Sequence, residues 1–443
     1  MWRLLWKLRT SNISIWPERA FDELLLPRRV FGQDTLLVND PAGIKDVLAT
    51  HAAHYQRYMV TPRLLRPVAG DGVLLAEGDD WRQQRRSVSP AFTPANVEQI
   101  LPQFGEAAEA LCARIAASPD DGINLYRLFQ TAAIDALGRG LFSLPFDQRA
   151  ERLAAMARTY FAGPGRPNAA DSFARHEGQF RWVTWRRRRF QKAWFAEIDS
   201  ILSEWRETSS KRAPATGHAR DIMSVMSRWR DPESGRPMSD RELRHQTATM
   251  IAAGFETTAL TMFWTAFLLA NNPATQEDIR TEIAISPPAK LQSMKDLERW
   301  PRLRETIFEA MRLYPPVAFM SRICIAPTRI CDRTIAPGTI IVISPWVLHR
   351  HRSFWTEPDL FRPSRFADQP RAHLAGGAFI PFGAGPRNCL GASFAFAETM
   401  ILLAHLVHRF RIDVEDTLGL IPRAIISTTP SVEPAFHLTP IDP

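Results

Sequence analysis

The sequence predicts a mainly α-helical protein with a small β region, and three observations carry that reading. Apolar residues recur at helical spacing through most of the chain beyond about residue 47. One segment opens at Ser239-Asp-Arg-Glu242, a capping box, and closes at Asn271-Asn272 before Pro273. It reads as a single helix of about 48 Å at 1.5 Å per residue. β texture is confined to short apolar pieces between about Ala20 and Val47, such as Thr35-Leu-Leu-Val38, and to the β-branched run from Arg322 to Val342 with its Pro337-Gly338 turn.

With 443 residues, 45% hydrophobic and 23% charged, the chain is an ordinary globular protein able to bury a large core, as several domains or one large one. Cys112, Cys324, Cys331 and Cys389 form no CxxC pair and no zinc spacing, which argues against a disulfide framework or zinc site. Cys324 and Cys331 read as two buried thiols of a reducing compartment, with pairing as the alternative. The formal charge of +8 comes with no nucleic-acid motif, so the preferred partner is an acidic protein.

Taken in order, Met1-Trp-Arg-Leu-Leu-Trp-Lys-Leu-Arg9 is apolar in patches broken by charge. It predicts neither a transmembrane anchor nor a secretory leader, with a short amphipathic surface contact as the other reading. In Trp81-Arg82-Gln-Gln-Arg85-Arg86, Trp81 and Arg85 stand four apart on one helical face, a clamp of indole N–H and guanidinium for a carboxylate. The run Arg186–Arg189 lies among Trp182, Trp185, Phe190, Trp194, Phe195 and Trp205 at near-helical spacing, and reads as a helix with a solvated cationic face.

Inside the long helix, Ala253-Gly254-Phe255-Glu256-Thr257-Thr258 is a poor helix interior by propensity, Gly alone costing about 1 kcal/mol against Ala. Ala253 and Gly254 would leave a gap for a diatomic ligand. A Thr hydroxyl can bond back to the preceding turn, and Glu256 with Thr257 would relay protons. The other reading is a small-residue contact between helices. Glu309 and Arg312 share a helical face ahead of Tyr314-Pro315-Pro316, and Arg365 in Phe361-Arg-Pro-Ser-Arg365-Phe366 would complete a buried structural Glu–Arg–Arg cluster. Arg322, after the Pro-Pro turn, is a second candidate for a carboxylate. The aromatic-rich stretch from Phe354 to Phe366 is a long irregular segment, unusual in a compact protein and often functional.

The most specific motif is Phe382-Gly-Ala-Gly385-Pro-Arg387-Asn-Cys389-Leu-Gly391, ahead of an apolar helix. A helix N-terminus favours an anionic sulfur. Gly383 and Gly385 allow the backbone to bend close to a flat macrocycle, and Gly391 removes a side chain beside the sulfur. Arg387 offers a fork to a propionate, and Phe382 an apolar cover. These are the residue types that present a thiolate to haem iron.

Together and in this order, Trp81/Arg85, Ala253 to Thr258, Glu309/Arg312, Phe361 to Phe366 and Phe382 to Gly391 resemble the cytochrome P450 family, over roughly Trp81 to the C-terminus. The resemblance implies a single domain spanning 1–443 with the cytochrome P450 fold. Haem b would lie between the long helix and the helix after Cys389, with Cys389 as the metal ligand. It implies an NAD(P)H-driven monooxygenase that inserts one oxygen atom of O2 into a small hydrophobic or aromatic substrate, the thiolate favouring O–O cleavage. On it Glu256 and Thr257 are catalytic, and Trp81, Arg85, Arg322 and Arg387 hold the propionates. Ala253, Gly254, Phe382 and Gly391 border the cofactor, and Glu309, Arg312 and Arg365 form a structural triad.

Substrate contacts are expected from Tyr58–Leu75, Val317, Ala318 and Phe319, and the tail near Ile426–Thr428. No reductase, flavin or iron–sulfur signature follows Cys389, so electrons are expected from a separate ferredoxin with its reductase, or a flavodoxin, docking on the basic side near Arg82 and Arg86. The wording around Arg387 and Trp81 is nearer the eukaryotic-like branch, while the expected lack of an anchor suggests a bacterial, cytoplasmic monomer. The reading from a different class is a haem-binding sensor or carrier without turnover, which the Glu256-Thr257 pair disfavours.

Overall fold

The computed structural model describes residues 11–30, 32–118, 122–168, 171, 181–211, 221–367, 376–415 and 419–441. The amphipathic reading of Met1–Arg9 and the side chain of Trp182 lie outside the described residues. In chain order the helices are α1 (Pro41–Lys45), α2 (Val60–Ala69), α3 (Gly78–Val88), α4 (Pro94–Glu98), α5 (Leu101–Ala116), α6 (Leu125–Phe142), α7 (Asp147–Ala162), α8 (Arg181–Lys211), α9 (Ile222–Arg228), α10 (Asp240–Ala270), α11 (Pro273–Ile285), α12 (Pro301–Leu313), α13 (Pro345–Leu348) and α14 (Ala392–Arg409). The chain is mainly α with a small β region.

Helix α10 starts where its capping box requires: the Glu242 N–H donates to Ser239 Oγ at 3.2 Å and the Ser239 N–H donates to the Glu242 carboxylate at 2.7 Å. It ends at Ala270, where Pro273 opens α11 at a position that needs no N–H. Helices α6, α8, α12 and α14 surround it, and Phe255, Phe263, Trp264 and Leu269 are wholly buried among Phe129, Trp194, Phe394 and Leu402. Trp264 stacks on Tyr314 with ring centroids 4.0 Å apart and planes 9° from parallel. Among the described residues α10 alone is long and apolar enough to cross a membrane, but 67% of its apolar window is buried in the protein, as befits a core helix.

Among the described residues the β region forms one five-stranded sheet and three two-stranded pairs. In the former, β1 (Leu25–Val30) pairs with β2 (Gln33–Val38) as a hairpin, and β3 (Tyr55–Arg57) pairs with β4 (Met320–Cys324), setting Arg57 opposite Arg322. The expected hairpin across Pro337-Gly338 is resolved differently. The local hairpin is β5 (Thr328–Ile330) with β6 (Arg333–Ile335), while β7 (Ile340–Ile343) passes the turn to lie antiparallel to β4 and parallel to β2. Gly338, at φ +88°, makes the turn between the two sheets, its N–H donating to the Cys324 carbonyl at 2.8 Å. Strands β8 (Phe410–Val414) and β11 (Phe436–Pro440) pair near the end of α14, and β9 (Pro422–Ala424) pairs with β10 (Thr428–Pro430).

The cationic face of α8 requires a correction. Arg186, Arg188 and Arg189 are exposed, but Arg187 is 2% exposed and turned inward onto Asp171, at 2.7 and 2.8 Å. A helix one turn of which carries four arginines must direct one of them at its own packing face, and a buried carboxylate meets it there.

Candidate functional site

The loop from Phe382 to Gly391 delivers Cys389 to the interior. Gly383 and Gly385 lie at φ +73° and +70°, and a Cβ at Gly385 would run into the carbonyl oxygen of Leu48. The Cys389 N–H donates to the Phe382 carbonyl at 2.8 Å and closes the loop. Helix α14 begins only at Ala392 with Gly391 as N-cap, so Cys389 precedes the helix and does not sit within its first turn. Burial pushes its thiol up, and the Gly391 N–H and Arg85 pull it back in part.

The Cys389 side chain is densely surrounded by protein atoms, yet it is exposed. Ala253 shows the same combination: it is exposed although it lies in the middle of the core helix α10, where Ile251 and Phe255 are fully buried. The two uncovered positions, one on α10 and one on the cysteine loop, mark the two sides of a candidate cleft. Gly254 packs tightly on α6: a Cβ there would stand 3.1 Å from Leu137. Gly391 has no such neighbour, the nearest atom to a Cβ being Phe92 at 3.9 Å.

Around the loop stands a group of cations. Arg387 lies over the Trp81 ring at 4.3 Å, donates to the Ala76 carbonyl at 2.9 Å and pairs with Glu77 at 2.7 Å. Arg57 reaches the other oxygen of Glu77 at 2.9 Å. Arg322 lies beside them, and burial with the charges of Arg57 and Arg387 pushes it down to about 10; burial and then Arg57 push Arg387 to about 10. Glu77 is the one carboxylate acting on Arg322 among the described residues. Arg85 bonds the Asn388 carbonyl and side chain at 3.0 and 2.8 Å, beside the cysteine. A partly buried group with three guanidiniums and one carboxylate has room, electrostatically, for two further carboxylates. A single thiol, this cationic rim and a cleft floored by small residues fit an iron protoporphyrin.

Thr257 Oγ1 donates back to the Ala253 carbonyl at 2.8 Å, as its position predicts. Glu256 is neither solvated nor free: Tyr126 Oη donates to its Oε1 at 2.5 Å and Gln130 Nε2 to its Oε2 at 2.8 Å, both from α6. Burial pushes its carboxyl up, against the two hydrogen bonds, the charge of Arg158 and a hydrogen bond from Ser427.

Glu309 and Arg312 are wholly buried and joined by bonds of 2.7 and 2.8 Å, and Arg365 Nε reaches Glu309 at 3.0 Å. Of the expected substrate contacts, Val317 is 42% exposed and Phe319 partly so, but Ala318 is 1% exposed. Its carbonyl accepts from Ser344 Oγ and the Trp346 N–H, so Ala318 is part of the frame, and this corrects its assignment. The basic side proposed for a partner is also less basic than it reads, since Arg82 pairs with Asp79 at 2.6 Å and Arg86 with Glu233 at 3.4 Å.

Sequence reasoning missed Arg57, Glu77, Asn388, Tyr126 and Gln130. Arg57 ends a strand of only three residues, too short for a pattern, and nothing at Tyr126 signals an acceptor 130 residues away.

One family description, Cytochrome P450, matches residues 28–431. Among curated proteins, the chain is 30% identical over 396 residues to Cytochrome P450 4F3 of Rattus norvegicus, covering 85% of this chain and 75% of that one. It is 27% identical to the cytokinin hydroxylase of Arabidopsis thaliana, covering 90% and 78%, and 28% identical to the cyclooctatin synthase of Streptomyces melanosporofaciens, covering 82% and 78%.

Proposed function

The chain belongs to the cytochrome P450 family of haem b monooxygenases, and from that premise we propose that it oxygenates a small apolar or aromatic molecule held on the Ala253 side of the cleft. The observation that carries the reading is an uncovered, loop-held cysteine together with an uncovered Ala253 on the helix that bears Glu256 and Thr257. Haem b, when bound, supplies an iron that activates O2 for insertion.

The chain's own residues divide the remaining work. Cys389 would hold the haem iron through its sulfur, as a thiolate. Arg387, Arg322 and Arg57 would neutralise the propionates, with Trp81 stacked under Arg387, while Arg85 is given to Asn388 and holds the cysteine loop. Thr257 holds its hydroxyl on the Ala253 carbonyl, and its neighbour Glu256 is the proton source. Phe319 and Val317 contribute apolar surface to the substrate side, which supports an apolar ligand. Electrons come from a separate ferredoxin- or flavodoxin-type protein.

The test is the carbon monoxide difference spectrum of the reduced protein, wild type against Cys389→Ser. Wild type is expected to show the band position of thiolate-ligated haem, and the variant to lose it. Wild-type protein that purifies without haem, or a variant with an unchanged band, would overturn the ligand assignment. NAD(P)H-dependent product formation with a supplied ferredoxin system separates an oxygenase from a haem carrier.

A further inference from the structure

We propose that Tyr126 and Gln130, backed by Arg158, are positioning residues for Glu256: they hold both oxygens of its carboxyl from the α6 side and set the pH range over which it carries a proton. The proposal rests on the reading of Glu256 as a proton source and concerns what controls it.

The contacts form an ordered series. Tyr126 Oη donates to Glu256 Oε1 at 2.5 Å and Gln130 Nε2 to Oε2 at 2.8 Å. Gln130 can donate there only if its amide oxygen faces the other way, and Arg158 Nη1 donates to that oxygen at 3.0 Å. Arg158 is in turn held by Glu151 at 2.6 Å, whose side chain is 57% exposed and also accepts from Thr131 Oγ1 at 2.8 Å. An arginine anchored at the surface thus fixes the amide orientation that fixes the acid. Tyr126 and Gln130 stand four apart on α6, on one face one turn apart, so both contacts follow from a single helix position.

The protonation chemistry follows from the partners. Burial and the neighbouring Glu256 keep the Tyr126 hydroxyl protonated, so it has a proton to donate to the Glu256 carboxylate. A guanidinium does not release its proton in proteins, so Arg158 orients and polarises but does not conduct. Facing Glu256 are Tyr126 and Gln130 from α6, Arg158 with Glu151 from α7, and Ser427 from the turn before β10. Glu433, paired with Arg127 at 2.9 Å, lies beyond Tyr126. Each hydrogen bond to the carboxylate favours its ionised form, and burial opposes them. Removing a donor must therefore make Glu256 keep its proton to higher pH.

The readout is an infrared titration of the purified haem-loaded protein, following the carboxyl C=O band that disappears in Glu256→Gln. Tyr126→Phe and Gln130→Leu are each expected to move its midpoint up by about one pH unit, the loss of one hydrogen bond to a charged group. Arg158→Met is expected to shift it the same way, and Arg158→Lys, which keeps the charge, to recover part of the shift. The basic limb of product formed per NAD(P)H should move in parallel. Midpoints and profile unchanged in Tyr126→Phe and Gln130→Leu, with only melting temperature or rate lowered, would reduce these residues to packing and overturn the proposal. If midpoints shift while Glu256→Gln leaves coupling and its pH profile unaltered, the positioning stands and the reading of Glu256 as proton source fails.

Discussion

Gly385 and Gly391 look alike in the sequence and answer to different demands. Gly385 combines φ +70° with a Cβ position that would collide with the Leu48 carbonyl, so the protein itself requires glycine there. Gly385→Ala is expected to cost about 2 kcal/mol or more in unfolding free energy, since a positive φ alone costs about 1–2 kcal/mol for an L-residue. Gly391 has only Phe92 at 3.9 Å and φ −89°, so the folded chain tolerates a methyl group. Gly391→Ala should change unfolding free energy by no more than about 0.5 kcal/mol while lowering haem retention. Thermal melting of the two variants beside haem content per chain separates them. A Gly391→Ala protein with full haem content would show that its small size serves something other than the cofactor.

At the scale of elements, α2 and α8 are joined by a buried clasp that no local pattern announces. Asp171, 1% exposed, accepts from Arg63 of α2 at 3.0 Å and from Arg187 of α8 at 2.7 and 2.8 Å. Burial alone would raise its carboxyl, but the bonds and charge of Arg187, the Asn168 N–H and Arg63 outweigh it and hold it below the usual carboxylate range. A depressed folded-state pKa contributes stability that is present above the unfolded value near 3.9 and is lost as pH falls through the folded one. Asp171→Asn removes the buried carboxylate that faces both guanidiniums and is expected to cost about 3–5 kcal/mol at neutral pH. The gap between wild type and variant should close below about pH 4, and chemical denaturation across that range measures it. A gap constant down to pH 2 would locate the cost in shape alone. Such a clasp explains which parts of the fold were legible. Both ends of α10 are written within a few residues, as capping box and proline, and the back-bond of Thr257 follows from its place in a helix. The β4–β7 pairing, the inward turn of Arg187 and the tether of Glu256 depend on residues distant in sequence, which periodicity does not encode. Gly254 was ambiguous for the same reason, because the neighbour that explains it, Leu137, belongs to another helix.

Across the whole molecule one connected set of bonds runs from the buried triad to the cysteine loop. Arg312 donates to both oxygens of Glu309 and to the carbonyls of His349, Pro358 and Leu360, at 2.9, 2.6 and 3.2 Å for the last three. His349, pushed down to about 3 by burial and by the charges of Arg312 and Arg350, stays neutral and accepts the Ile380 N–H at 3.0 Å. The Ile380 carbonyl accepts the Gly383 N–H at 3.0 Å, inside the loop that the Cys389 N–H closes on Phe382. The irregular stretch between Phe354 and Phe366 has few backbone bonds of its own, so Arg312 and Arg365, which takes Thr356, Glu357 and Leu360 carbonyls, supply them. The demand is for a planar fork with five donors, and lysine offers a point charge with three. Arg312→Lys, though charge-conserving, is therefore expected to destabilise the protein by about 3–5 kcal/mol, nearly as much as Arg312→Leu. Because the strain is transmitted through His349 and Ile380, haem should dissociate at a lower temperature than the helices melt. Parallel melts followed by Soret absorbance and far-ultraviolet circular dichroism measure the two events. If Arg312→Lys melts in one transition with wild-type haem affinity, the triad and the cysteine loop are mechanically independent, and positive charge at position 312 is all the fold requires.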